Sequence, residues 1–289
     1  MTMAIQAPGA PSAVITGAST GIGRATALHL DERGFRVFAG VRRQQDGEAL
    51  RESASERLSY VILDVESAAS LEVAAKTVES AVGEAGLQGI VNNAGISVPA
   101  VFEFMDLDEL RRQLEVNVVG AVAATKAFLP AIRRAKGRIV NIGSMGGYNA
   151  GPFMSPYAAS KFALEALTDS LRRELRPWGM QVSIVEPGSI ATPIWDKGLG
   201  YAAELKERLP ERGRELYGDA FDAMENYARS ASKRGIAPEA VARAVHHALT
   251  ASRPRTRYRV GLDARLMRVL TRILPDRTMD AIVSRLIGF

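Results

Sequence analysis

At 289 residues, with 47% hydrophobic and 24% charged side chains, the chain can bury a large core and is neither a disordered nor a fibrous sequence. It has no cysteine, which excludes disulfides, thiolate catalysis and cysteine-ligated zinc or iron–sulfur clusters. The net charge of +5 raises nucleic acid as a partner, but residues 243–289 hold ten Arg, no Lys and three Asp, net +7, which leaves −2 for the rest; without an aromatic-interleaved basic stripe that reading lapses.

The opening residues, MTMAIQAPGAPSAV, lack the basic and apolar regions of a secretory leader. No stretch approaches the roughly 20 apolar residues of a membrane span, so a cytoplasmic location is expected. Short apolar runs then alternate with stretches of helical period. Ala13–Thr16 precedes a helix over 22–33, Phe35–Ala39 a short one over 46–54, and Leu58–Leu63 one over 67–85. Gly89–Val91 precedes a single long helix over 107–134, Arg138–Ile142 one over 157–177, and Val182–Val185 closes the series. Continuous apolar strands of this length belong to a parallel sheet covered on both faces, so the class is α/β, a doubly wound sheet of about seven strands.

After Pro187-Gly188 the rhythm breaks into a charged, aromatic segment over 190–232, expected to be a lid with short helices at 201–209 and 214–231. A helix from Pro238, a strand at Tyr258–Gly261 and two amphipathic stretches split by Pro275 complete the chain. A single domain, 1–289, with a C-terminal extension over 263–289, accounts for all of this. The adjacent His246 and His247 point apart on a helix and read as packed or solvent-facing, so no metal site is expected.

Strand 13–16 runs into TGASTGIG, Thr16 to Gly23, and then into a helix. Gly17, Gly21 and Gly23 allow a tight turn and let backbone N–H groups meet a pyrophosphate at a helix N-terminus, where the dipole favours an anion. The second strand ends Val41-Arg42-Arg43 with no carboxylate to hold ribose hydroxyls. Guanidinium groups there suit the 2′-phosphate of NADP, or else merely solvate a turn. Tyr157 and Lys161, four residues apart in YAASK, share a helix face, and an ammonium beside a phenol lowers its pKa. Ser144 lies 13 positions before Tyr157, and Asn117 lies 27 before Ser144.

The spacing G-x-x-x-G-x-G, the NNAG after the fourth strand and this order of Asn, Ser, Tyr and Lys resemble the compact branch of the short-chain dehydrogenase/reductase family. FRVFAGV, LQGIVNNAGI and DSLRRELRPWGMQVSIVEPG look most like its retinol and hydroxysteroid dehydrogenases. The resemblance implies a Rossmann-like domain binding NADP(H) by preference, with NAD(H) the alternative. Its cofactor positions fall on Gly17, Ser19, Thr20, Gly21, Ile22, Gly23, Arg42, Arg43, Asp64, Val65, Asn92, Ala94, Gly95, Pro187, Gly188, Ile190 and Thr192, together with Tyr157 and Lys161.

It further implies carbonyl–alcohol interconversion. Tyr157 is then the general acid or base and Ser144 orients the substrate oxygen. Lys161 holds the nicotinamide ribose, and Asn117 keeps a relay water near the lysine. Gly143 stands where many members have a second serine.

Met145, Tyr148, Phe153, Met154, Ile194, Trp195, Leu199, Tyr201 and Phe221 form either an apolar pocket for a lipophilic ketone, aldehyde or alcohol, or ordinary packing. Relatives associate through the two long helices, which implies a homodimer or homotetramer. About a dozen residues precede the glycine motif, too few for the N-terminal anchor many such relatives carry. The basic C-terminal extension covers the substrate mouth, lies on an anionic membrane, or docks as an amphipathic helix with solvated arginines. Two competing functions remain: a protein that senses NADP state on the same fold, expected to have a damaged tetrad, and an epimerase or dehydratase, expected to space its glycines differently.

Overall fold

The computed structural model describes residues 9–288, so most of the opening segment read as lacking a leader, residues 1–8, lies outside the described residues. The strands are β1 Ser12–Ile15, β2 Arg36–Val41, β3 Leu58–Ile62, β4 Gly89–Asn92, β5 Arg138–Ile142, β6 Gln181–Pro187 and β7 Arg257–Val260. They form one parallel sheet in the order β3-β2-β1-β4-β5-β6-β7. Between them run α1 Gly21–Glu32, α2 Gln44–Glu52, α3 Ala68–Val82, α4 Leu107–Leu114, α5 Gly120–Arg134, α6 Ser155–Leu175, α7 Ile194–Arg208, α8 Glu211–Arg234 and α9 Glu239–Thr250. After β7 come α10 Leu262–Ile273 and α11 Asp276–Ile287.

Alternate strand residues face opposite layers, as a strand's period of two requires. Ala13 and Ile15 of β1 pack with Leu30 of α1 and Val241 and Val245 of α9, whereas Val14 packs with Leu71 of α3 and Phe128 of α5. Burial on both faces explains why these strands read as continuous apolar runs.

The helix expected over 107–134 forms without a gap but changes its winding in the middle. Glu115–Val119 is a π-turn between α4 and α5, the local widening that recurs at functional sites, and it carries Asn117. By length and hydropathy Leu107–Arg134 passes as a membrane span, contrary to the expectation from sequence, but half of its most apolar stretch is buried against the sheet.

The lid helices are longer than expected: α7 and α8 replace 201–209 and 214–231. Pro193, Pro210, Pro238 and Pro275 each stand immediately before a helix with φ of −61° or −62°. A proline's fixed φ suits a helix start, where its missing N–H leaves no bond unmade. The lid packs a small core, Ala202, Leu205, Leu209 and Phe221, on Val101 of the loop after β4. His246 packs edge-on against His29 at 5.4 Å, and His247 Nδ1 lies 2.8 Å from the Tyr258 hydroxyl.

Candidate active site

In a doubly wound sheet the ligand crevice opens at the carboxyl ends of the strands, where the strand order reverses. Here that point lies between β1 and β4, and the loops after both are tied together. The Thr16 hydroxyl accepts from the amides of Asn93 and Ala94, each at 3.0 Å, and the Asn93 side chain donates to the carbonyls of Thr16 and Gly17 at 2.9 and 3.0 Å. The sequence reading singled out Asn92 and Ala94 and passed over Asn93 and Thr16, whose spacing in the chain, 77 residues, carries no local signal.

Two glycines of the loop have no room for a side chain. Gly17 has φ +64°, and a Cβ there would lie 2.9 Å from Ala94 Cα; a Cβ on Gly23 would overlap the Gly17 carbonyl oxygen. This cradle, followed by the N-terminus of α1, fits a dinucleotide pyrophosphate. Ser19, Thr20 and Ile22 lie on the same loop and first turn, and Gly21 packs against Thr192 from the loop after β6.

At the end of β2 the two arginines differ. Arg43 is bidentate to Asp46, at 2.9 and 3.0 Å. Arg42 is exposed. Asp64 and Val65 follow β3; Val65 is buried against Gly120, and Asp64 accepts from its own loop at the Glu66 amide. Asn92 is buried and donates to Thr125 and to Asn141 of β5, both at 2.8 Å, so its visible work is to join strands.

The tetrad converges from three places: Asn117 from the π-turn, Ser144 from the loop after β5, and Tyr157 and Lys161 from α6. Ser144 lies two residues after β5, at the head of the Met145–Gly147 turn, and accepts from the Gly146 amide at 3.0 Å. Tyr157 stands on the first turn of α6; burial pushes its phenol up, and a hydrogen bond with the Ser144 hydroxyl pulls it back. Lys161, one turn on, lies under the phenol ring, its Nζ 5.7 Å from the ring centre and donating to the Ile142 carbonyl at 2.8 Å. Burial lowers its ammonium to about 8, against the opposing charge of Glu165.

The Asn117 amide is held by protein at both its oxygen and its nitrogen. It accepts from the Ile96 amide at 2.9 Å and donates to the Ile96 carbonyl and the Ser160 hydroxyl, both at 3.0 Å, so it locks the loop after β4 to α6.

A cavity of about 350 Å³ runs from Gly17 and Gly21 past Ser144, Tyr157 and Lys161 to the lid. Its wall includes Gly95, Pro187, Gly188, Ile190 and Thr192, and then Met145, Phe153, Met154, Ile194, Trp195, Leu199 and Phe221. Tyr148 and Tyr201 are not in it. Tyr148 is buried behind the turn, donating to the Ala264 carbonyl, and the Tyr201 hydroxyl meets Arg112. Met224 and Tyr227 of α8, Met267 of α10 and Val283, Leu286 and Ile287 of α11 also line it, and sequence reasoning missed them. The extension therefore does cover part of the mouth. On its outer side, however, Leu262, Leu266, Val269 and Ile273 of α10 are 54–82% exposed.

Residues 11–199 match the short chain dehydrogenase family. Mouse retinol dehydrogenase 5 is 41% identical over 277 residues, 93% of this chain and 86% of that protein. Bovine 17-beta-hydroxysteroid dehydrogenase type 6 is 39% identical over 280 residues, 94% of this chain and 87% of that protein. A short chain dehydrogenase of Burkholderia cenocepacia J2315, solved in complex with NADP, superimposes with a TM-score of 0.71 at 27% identity, covering 97% of this chain and 98% of that one. With the glycine cradle, the ordered Asn, Ser, Tyr and Lys, and these likenesses together, the chain belongs to the short chain dehydrogenase family, in the group that holds the retinol and hydroxysteroid enzymes it is similar to, and is an NAD(P)-dependent oxidoreductase of CH–OH groups.

Proposed function

We propose that the protein interconverts a carbonyl and an alcohol on a lipophilic small molecule, with NADP(H) as its preferred cofactor. The observation that carries this reading is a cavity in which an apolar wall meets the Tyr157 and Ser144 hydroxyls beside the glycine cradle. A bound nicotinamide supplies or accepts the hydride. Tyr157 gives its proton to the substrate oxygen in reduction and takes it back in oxidation, while Ser144 holds that oxygen within reach. Lys161, as an ammonium, favours the phenolate and meets the ribose hydroxyls. Asn117 fixes the loop after β4 against α6, and relay water beside the lysine is the part of its expected role that proton supply requires.

Arg42, exposed and outside the Arg43–Asp46 pair, is the guanidinium free to meet a 2′-phosphate, and this favours NADP over NAD. The decisive experiment compares NADPH and NADH across a panel of retinoid, steroid and short hydroxy-acid substrates. Turnover of bulky apolar substrates with NADPH is expected. Tight NADPH binding without turnover of any carbonyl or alcohol points instead to the cofactor-sensing reading.

Two surfaces complete the proposal. Val119, Val122, Phe162 and Leu167 on the α5 and α6 side are 38–47% exposed, which favours a homodimer or homotetramer through these helices; Phe162→Glu should shift it to monomer in light scattering. The exposed α10 stripe, flanked by Arg265 and Arg272, suits peripheral contact with an anionic lipid surface beside the pocket mouth. Co-sedimentation with phosphatidylserine vesicles, weakened by salt, is the expected result.

A further inference from the structure

The start of α10 touches both loops that frame the chemistry. The Asp263 carboxylate splits its oxygens: Oδ2 accepts from the Ser189 amide at 2.7 Å, and Oδ1 accepts from the Ala264 amide at 2.8 Å. Ser189 lies between Gly188 and Ile190, both in the cavity wall, and the Gly188 amide donates to the Val260 carbonyl at 2.9 Å. A Cβ on Gly188 or Gly261 would run into the Asp263 carboxylate, so backbone and carboxylate are in direct contact.

One residue further on, the Ala264 carbonyl accepts from the Tyr148 hydroxyl at 2.7 Å. Tyr148 immediately follows the Met145–Gly147 turn, whose Gly146 amide donates to Ser144 Oγ. Burial raises the Tyr148 phenol, which keeps it a donor, and the Arg268 guanidinium lies 4.9 Å from its ring centre.

We infer that Asp263 and Tyr148 are positioning residues, a clasp by which the first turn of α10 sets the spacing between the Ser144 turn and the Gly188–Ile190 segment. Both members act through other residues. Asp263 lies beyond the span matched by the family, residues 11–199, so nothing in the glycine loop or the tetrad implies it. The functional consequence rests on the reading of Ser144 and Gly188–Ile190 as substrate- and nicotinamide-facing. The clasp itself rests only on the geometry.

The chemistry makes the isostere informative. Two donors meet two different oxygens, so an asparagine satisfies one and turns an N–H toward the other, while a glutamate has no room beside Gly188 and Gly261. The test measures Asp263→Asn and Tyr148→Phe, singly and together, by NADPH titration, steady-state kinetics, melting and hydrogen exchange at the Ser189 amide.

Asp263→Asn should weaken NADPH binding and lower kcat about ten-fold each, the scale of one charge-assisted hydrogen bond, with cooperative unfolding retained. Ser189 exchange should accelerate in the ligand-free protein. Tyr148→Phe should act in the same direction by about three-fold, and the double variant should fall short of the product because one clasp has been opened twice.

Parental Ser189 protection and NADPH affinity in Asp263→Asn would overturn the inference, as would strictly multiplicative effects. If Asp263→Asn does not fold, Tyr148→Phe, which deletes a single oxygen, is read by the same measurements, and parental values there overturn it. A parent protein that turns over nothing on the substrate panel defeats the proposed function instead, because Ser189 protection reads the clasp without any substrate.

Discussion

The cofactor edge of the sheet and the wall that faces the substrate are held by different forces. At the edge, amides and hydroxyls find their partners within the protein: a buried chain runs from Thr125 through Asn92 and Asn141 to Thr168, and beside it Asn93 pairs with Thr16 and Asn117 with Ser160. Gly17 and Gly23 there admit no Cβ. In the wall, α10 buries only Ala264 and α11 only Met279, and the lid is joined to the body by the packing of its small core on Val101, by Tyr217 donating to Glu103 and by the exposed Arg208–Glu109 pair. Exposed pairs of that kind contribute about 0–1 kcal/mol, whereas stranding a buried polar group costs about 1–3 kcal/mol. Chemistry is therefore held rigidly, and the substrate wall is free to vary. Asp263 is the place where the soft region grips the stiff one.

The comparison can be broken from either side. Tyr157→Phe deletes one oxygen from the stiff region; turnover should fall by about 10³-fold while NADPH affinity stays parental, because general acid–base catalysis is lost and no cradle contact is. A variant as active as the parent would refute the acid–base role. Arg42→Ala should cost NADPH about ten-fold or more in Kd and leave NADH unchanged, measured by paired titrations. Equal losses for both cofactors would remove the 2′-phosphate argument.

On the soft side, Phe221→Ala opens the lid core between Phe153 and Leu205. KM for a bulky substrate should rise several-fold, with NADPH affinity unchanged. A simultaneous loss of cofactor binding would show that the two regions are not separable.

The smallest effect is in pH. Burial holds the Lys161 ammonium down to about 8. Between that pH and the ~10.4 of a free lysine the unfolded chain binds the proton that the folded chain has lost, so this group makes the ligand-free fold more stable as pH rises. Over the same window the ammonium that would meet the ribose disappears, so NADPH affinity should fall above pH 8 while the melting temperature gains from this group. Both trends should be absent in Lys161→Met.

Much of the site was legible because its signals are local. A glycine at φ +64° between strand and helix, or a tyrosine one helical turn before a lysine, is visible in a window of a few residues. The π-turn was not, since Glu115–Val119 has ordinary helical composition and widens only where α6 and the loop after β4 draw on Asn117. Arg42 and Arg43 look alike in sequence, and only the turn into α2 brings Asp46 to one of them. Tyr148 read as a pocket residue because it flanks Ser144, yet its ring turns inward to α10, more than 100 residues away in the chain.

By itself, then, the sequence determined the alternation of strands and helices, the phosphate cradle and the order of Asn117, Ser144, Tyr157 and Lys161, all of which follow from hydrophobic period and short-range stereochemistry. Tertiary structure alone decided that Met267, Val283, Leu286 and Ile287 close the pocket, that the α10 stripe faces outward, and that Asp263 holds Ser189. Those are contacts between segments far apart in the chain. An amphipathic pattern shows that a helix has an apolar face but not which surface that face will meet.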